Sequence, residues 1–348
     1  MTILLSILWW LLVAEVAASL ARWQGLTILG WRWLWLSAIA LGGLSVLLFV
    51  GRSPLAWPAF GLVAPLGLVL FTLLAVWRQR QRRPEMILAP GEREGRRISE
   101  IAIPIVDGPM PAIVVEPADG STTGVLIVHG AGNHKTFYAW PLLHDLADAG
   151  FAACAIDVDG HGDNPRPLAF PETLENVAAG VTWLRERYRN VVVLGISQGG
   201  CLAARAVADG LEVDALVLLE APISINVTKA VIRREARTLA LPAAWALHRD
   251  VGTIGIVQGW RTKPTRARIG TVDLIARLSL LESVARVRCP LLLCYAANDA
   301  VVPKEQAHAV AAAAPEGATF VLLPRATHLS LSIDRRVTRL VSNWLRNV

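Results

Sequence analysis

Residues 191–204 read Val-Val-Val-Leu-Gly-Ile-Ser-Gln-Gly-Gly-Cys-Leu-Ala-Ala, an apolar run that passes through a turn of small residues into an alanine-rich helical run. A strand that is apolar at every position is buried on both faces, so this unit belongs in a parallel sheet covered by helices. The same rhythm continues through the rest of the chain. Residues 98–106 and 112–115 predict an opening hairpin, and 125–128, 152–156, 215–219, 291–295 and 319–323 predict further strands. Helix-period stretches separate most of them, at 174–187, 202–208, 304–313 and 335–345. The expectation is an α/β fold with a mostly parallel eight-stranded sheet and helices on both faces.

The first 83 residues obey a different rule. Residues 3–20 carry one charge, Glu15, while 34–50 and 57–77 carry none, although Pro58 and Pro65 fall in the last run. Each run is long enough to cross about 30 Å of hydrocarbon. Eight of the 13 tryptophans lie here, and Trp23, Trp31, Trp33, Trp57 and Trp77 sit near the ends of the runs, where interfacial rings prefer to be. The first run lacks the positive leader of a cleaved signal and two more runs follow it, so it reads as a span. The expectation is an all-α region of three transmembrane helices at 1–83, a polar linker at 84–97 and a globular domain at 98–348. Arg22 and Arg32 lie between the first two spans, and Arg78, Arg80, Arg82 and Arg83 follow the third. By the positive-inside rule the chain is a multi-pass cell-membrane protein with its globular domain in the cytoplasm.

Charge placement also excludes a function class. The net charge is +6, but seven arginines and one acid precede residue 84, leaving 27 basic and 27 acidic residues in the remainder. A basic footprint for nucleic acid is absent. Four cysteines (Cys154, Cys201, Cys289 and Cys294) show neither a C-x-x-C pair nor a zinc spacing, so no disulfide is expected. Residues 222–288 break the strand–helix rhythm with twelve basic side chains and four acids, and read as a helical insertion.

The turn at 195–199 is Gly195-Ile-Ser197-Gln198-Gly199, a G-x-S-x-G sequence. A serine presented on a sharp strand-to-helix turn needs Gly195 and Gly199, because a side chain at either would clash across the turn. The helix that follows aims its first amides at the serine, and the Gln198 N–H is placed to bind an oxyanion. A serine hydroxyl needs a base and an acid to orient that base. His328 follows the last predicted strand, and Asp299 follows the strand at 291–295, with Glu220 as the alternative acid at the end of 215–219. Ser197, Asp299 and His328 all lie beyond the carboxyl ends of parallel strands, where open α/β sheets build their sites.

Two further segments complete a resemblance. Val128-His129-Gly130-Ala131-Gly132 is similar to an H-G-x loop, and Asp157-Val-Asp159-Gly160-His161-Gly162-Asp163 to a D-x-x-G-H-G turn. With the ordered Ser197, Asp299 and His328, residues 98–348 resemble the α/β-hydrolase superfamily, in particular single-domain esterases of the dienelactone-hydrolase and lysophospholipase kind. The resemblance implies Ser197 as nucleophile, His328 as base, Asp299 as acid, and an oxyanion hole from Gln198 and Ala131 N–H. It also implies that 222–288 caps the site. No cofactor is implied. The three clustered aspartates at 157–163 lack the remaining ligands of a calcium loop, so no metal is expected.

The expected function is therefore a membrane-anchored serine hydrolase of carboxylic esters, with small-molecule ester or lipid-derived substrates. The same triad serves peptidases, thioesterases and acyltransferases, and the fold also serves as a non-catalytic binding scaffold. An intact triad speaks against the scaffold. A transport role for the spans has no paired ionisable residues to support it.

Overall fold

The computed structural model describes residues 90–93, 95–136, 142–240, 266–331 and 334–348. The three apolar runs and the arginine cluster after them lie outside these residues, as does 241–265 of the insertion. Among the described residues no helix is long and apolar enough to cross a membrane.

Among the described residues nine strands form one sheet: β1 (Gly91–Arg93), β2 (Arg96–Ile105), β3 (Gly108–Pro117), β4 (Thr123–Val128), β5 (Ala152–Ile156), β6 (Asn190–Ile196), β7 (Ala215–Leu219), β8 (Leu291–Ala296) and β9 (Thr319–Leu323). Their order is β1-β2-β3-β5-β4-β6-β7-β8-β9. The β1–β2, β2–β3 and β3–β5 pairs are antiparallel, and every later pair is parallel. The ninth strand, β1, and the start of β2 fall inside the polar stretch expected to be linker. An edge strand is held by its backbone pairing and needs no apolar alternation, so hydrophobic periodicity does not reveal it.

The remaining elements are α1 (His144–Asp148), α2 (Leu174–Arg185), α3 (Gln198–Ala208), α4 (Lys229–Ala240), α5 (Thr271–Leu278), α6 (Leu280–Ala285), α7 (Lys304–Ala313), α8 (His328–Leu331) and α9 (Arg335–Leu345). Period-2 alternation divides the strand side chains between two cores. Leu126, Val128, Val193, Leu218 and Leu293 pack with Val177 and Leu184 of α2, Leu202 of α3 and Val284 of α6. Val125, Ile127, Leu194, Val217 and Leu292 face the other way, onto Leu146 of α1 and Val337 and Val341 of α9.

Part of the expected cap belongs to this scaffold. Leu274, Ile275 and Leu278 of α5, with Leu280 and Val284 of α6, are buried. Among the described residues of the insertion, 222–240 lie outside these core helices, and Ile225, Val227, Val231 and Ile232 from them line the cavity over Ser197. β4 lies between β5 and β6, so the chain winds away from it in opposite directions. The crevice opened there at the carboxyl ends of the strands is where an α/β sheet receives a ligand.

Candidate active site

Ser197 stands between β6 and α3 with φ 52° and ψ −120°, a left-handed backbone that costs energy for any side-chain-bearing residue. The turn survives because its glycines let the backbones interpenetrate. A Cβ on Gly199 would lie 2.1 Å from Val128 O, and one on Gly195 would lie 2.5 Å from Gly199 O. The backbone N–H of Ser197 donates to Leu219 O at 2.8 Å, while Ser197 O accepts from Gly200 N at 2.9 Å. Gln198 is the first residue of α3, so its N–H has no acceptor within the helix.

The loops after β8 and β9 continue the pairing of their strands. Ala297 N–H donates to Leu323 O and Asn298 N–H to Ala326 O. Those bonds bring Asp299 beside His328. Asp299 Oδ2 lies 2.8 Å from His328 Nδ1, and His328 Nε2 lies 3.1 Å from Ser197 Oγ. With the carboxylate on Nδ1, that nitrogen carries the hydrogen and Nε2 accepts from the serine hydroxyl. Asp299 Oδ1 accepts from Val301 N at 2.7 Å and Val302 N at 2.6 Å. The carboxylate thus closes its own turn and does not cap α7, whose N-cap is Pro303. The order and spacing of the three candidate residues become a hydrogen-bonded chain.

Glu220, the alternative acid, is also here. Its Oε2 is 3.6 Å from His328 Nδ1, beyond hydrogen-bond length. It is fully buried and neither carboxyl oxygen has a hydrogen-bond partner. Burial, then the neighbouring Asp299 and Glu235 charges, push its carboxyl well above the usual range. Of the two carboxyls, Asp299 is the one within hydrogen-bond distance of His328 Nδ1.

The two motif loops have structural work to do. His129 Nδ1 is 2.8 Å from Gly130 O, and its Nε2 accepts from Val158 N at 3.1 Å, which ties the Gly130–Gly132 loop to the loop after β5. Burial lowers its pKa to about 3, and His161, 5.1 Å away ring to ring, is lowered by burial too. Asp157, Asp159 and Asp163 are already engaged by cations. Lys135 Nζ lies 2.9 Å from Asp157 Oδ2 and 2.7 Å from Asp163 Oδ2, and Arg166 Nε lies 2.8 Å from Asp159 Oδ1. Gly162 packs directly on the Asp157 carboxyl, where a Cβ would come within 2.3 Å. All four cysteines are free thiols, and burial pushes Cys154 and Cys294 up to about 12.

A cavity of about 430 Å³ opens over Ser197 and His328, bounded by Gly130, Ala131 and Gln198. Its other walls are mainly apolar, with Ile225, Val231 and Ile232 from the cap and Ile275, Val301 and Leu329 from the scaffold. Glu220, Glu235 and His328 are the ionisable side chains among these walls. Glu235 was not singled out in the sequence, where it is one acid beside Arg233 and Arg234 in a basic insertion. No local pattern marks it, because its partners are backbone groups distant in the chain.

Comparison with known proteins agrees with this architecture. The chain belongs to the alpha/beta hydrolase family, whose profile matches residues 125–342. A thermostable monoacylglycerol lipase from Bacillus sp. (strain H-257) is 24% identical over 212 residues, covering 58% of this chain and 78% of that protein. A pimeloyl-(acyl-carrier protein) methyl ester esterase from Xylella fastidiosa (strain 9a5c) is 26% identical over 235 residues, covering 58% of this chain and 86% of that one. Among solved structures, a soluble variant of a monoglyceride lipase from Saccharomyces cerevisiae bound to a substrate analogue has TM-score 0.56 at 12% identity. It covers 74% of this chain and 95% of the yeast chain, a likeness of fold. The family and its esterase and lipase relatives support a hydrolase.

Proposed function

We propose that the chain is a membrane-anchored serine hydrolase that cleaves carboxylic esters, with lipid-derived acyl groups as the preferred class. The single observation that carries this reading is the chain of contacts Ser197–His328–Asp299 opening into a mainly apolar cavity. In this reading His328 Nε2 takes the Ser197 proton as Oγ bonds to the ester carbonyl carbon. The oxyanion accepts hydrogen bonds from the Gln198 and Ala131 N–H groups. His328 then returns the proton to the leaving alkoxide, and the C–O bond breaks to release an alcohol and leave an acyl-Ser197. Water attacks that acyl group with His328 again as base, releasing the acid and restoring the serine. Asp299 holds the imidazole in the correct tautomer and balances the imidazolium charge formed in each step.

The apolar walls favour an acyl chain over a polar leaving group, which is why an ester of a lipid-derived acid is preferred to a peptide. A thioesterase or acyltransferase uses the same nucleophile and differs only in what leaves or attacks. The three apolar runs at 1–83 are proposed as the anchor, with the catalytic domain in the cytoplasm as their flanking arginines favour.

The test is a panel assay on full-length protein in detergent and in vesicles, using monoacylglycerols, p-nitrophenyl esters, acyl thioesters and aminoacyl amides. The reading expects hydrolysis of esters, fastest for monoacylglycerols, abolished by Ser197→Ala. Faster turnover of thioesters or amides than of every ester would replace the ester assignment.

A further inference from the structure

One side chain of the cap reaches both arms of the catalytic pair. Glu235 lies on α4, and its Oε1 accepts from Ala300 N at 2.7 Å while its Oε2 accepts from Leu329 N at 3.4 Å. Ala300 follows Asp299 in the chain, and Leu329 follows His328. A single carboxylate therefore bridges the two backbone amides immediately after the acid and the base.

Its setting sharpens the point. Of the α4 side chains described, 229–235, Lys229, Ala230, Ile232, Arg233 and Arg234 are exposed and Val231 is half-buried, while Glu235 is 1% exposed. Among these described side chains the buried one is a carboxylate, whose charge is costly to bury. Such a cost persists only where hydrogen bonds to the charge offset it, and here the offset comes from the two loops that carry the catalytic pair.

We propose that Glu235 is a positioning residue that fastens cap helix α4 to the Asp299 and His328 loops, so that the pair is held in register only while α4 is seated over the cavity. Val231 and Ile232 of the same helix line the cavity, so the element that shapes the acyl site also sets the alignment of the acid and base. A cap lifted to admit a substrate withdraws the acceptor from both loops, and a cap closed over a fitting acyl chain restores it. Correct filling of the cavity is thereby coupled to alignment of His328 between Asp299 and Ser197. This inference rests on the serine-hydrolase reading of the site.

The charge has a second consequence. His328 is faced by Asp299 and Glu220 at Nδ1, by Ser197 at Nε2 and by Glu235 across the Leu329 amide. Glu235 is faced in turn by Asp299, His328 and the Thr327 side chain. Burial raises the Glu235 pKa, and the carboxylate, where ionised, favours the imidazolium that forms during reaction.

The experiment compares full-length wild type with Glu235→Gln and Glu235→Asp, reading kcat, KM, the pH profile of kcat/KM and thermal unfolding. Glutamine keeps the shape but sets an NH₂ against one of the two N–H groups, and removes the charge. The expected result is a kcat lower by about 10- to 100-fold with KM changed by less than about threefold. Its acid limb should lie about half a pH unit or more lower. Aspartate keeps the charge but falls short of both amides, so kcat falls while the acid limb stays nearer the wild-type position. Wild-type kcat and pH profile in Glu235→Gln would overturn the proposal, as would a loss confined to KM or to thermal stability. Should the variants fail to fold, hydrogen exchange in the wild type decides. Protected Ala300 and Leu329 amides support the latch, and exchange at the rate of open loops overturns it. Wild-type protein inert to every ester and serine-directed probe would instead sink the hydrolase reading itself.

Discussion

The α-carbon of Gly199 sits beneath the carbonyl oxygen of Val128, so close that a Cβ there would lie 2.1 Å from that oxygen. This contact couples the turn bearing Ser197 to the end of β4, from which the Gly130–Gly132 loop departs. Nucleophile and oxyanion loop are consequently fixed relative to each other by backbone packing. Gly199→Ala forces the two segments apart. The expected outcome is at least about a hundredfold loss of kcat/KM and a destabilisation of about 1–3 kcal/mol. Parallel kinetics and chemical denaturation check both.

Two carboxyls near one imidazole nitrogen should behave very differently on substitution. Asp299→Asn presents the wrong hydrogen-bonding partner to His328 Nδ1, and kcat should fall by about 10⁴-fold. Glu220 is already pushed toward its neutral form, so Glu220→Gln should cost far less, about tenfold at most. Stability gives a second readout. A folded-state pKa raised above the ordinary glutamate value of 4.5 means that Glu220 costs nothing below that pH and progressively more as pH rises toward its folded value. The stability gained by Glu220→Gln should therefore increase with pH above about 4.5. Urea titrations at a series of pH values measure it.

His129 gives the opposite sign. Its pKa is lowered from 6.5 to about 3, so its stabilising contribution is complete above 6.5 and drains away as pH falls through that interval. While the folded form stays neutral and the unfolded form protonates, the loss approaches about 1.4 kcal/mol per pH unit. His161 acts in the same direction. Wild-type unfolding free energy should fall from pH 6.5 downward more steeply than that of His129→Gln. Equal slopes would show that the His129 strut does not hold the neutral ring.

Lys135 is 5% exposed at its side chain and holds the wholly buried Asp157. Lys135→Met leaves that carboxylate without its cation and should cost about 3–5 kcal/mol. Lys135→Met combined with Asp157→Leu removes both charges, and should recover part of that loss. A thermal-unfolding cycle of the single and double variants separates the two cases.

Much of this organisation is legible from the chain. β5, β7 and β9, and helices α7 and α9, have the limits their periodicity predicts, because each is a continuous apolar run or an amphipathic stretch bounded by polar or turn residues in the sequence. Ser197, Asp299 and His328 are legible because small residues and strand ends flank them. β1 is not legible, since a polar edge strand carries no hydrophobic period. The insertion at 222–288 looks uniform in composition, yet α5 and α6 are core helices with buried leucines, and only packing separates them from the cap. Glu235 escapes for a related reason. Its meaning lies in the amides of Ala300 and Leu329, and backbone partners leave no residue signature.

The central claim is that Ser197 is an activated nucleophile, and the most direct test is labelling of the full-length protein by a fluorophosphonate probe followed by mass spectrometry of the adduct. The account predicts a single stoichiometric adduct on Ser197, lost in Ser197→Ala and slowed strongly in Asp299→Asn. Folded wild-type protein that stays unlabelled in both detergent and lipid, or an adduct on another residue, would contradict it.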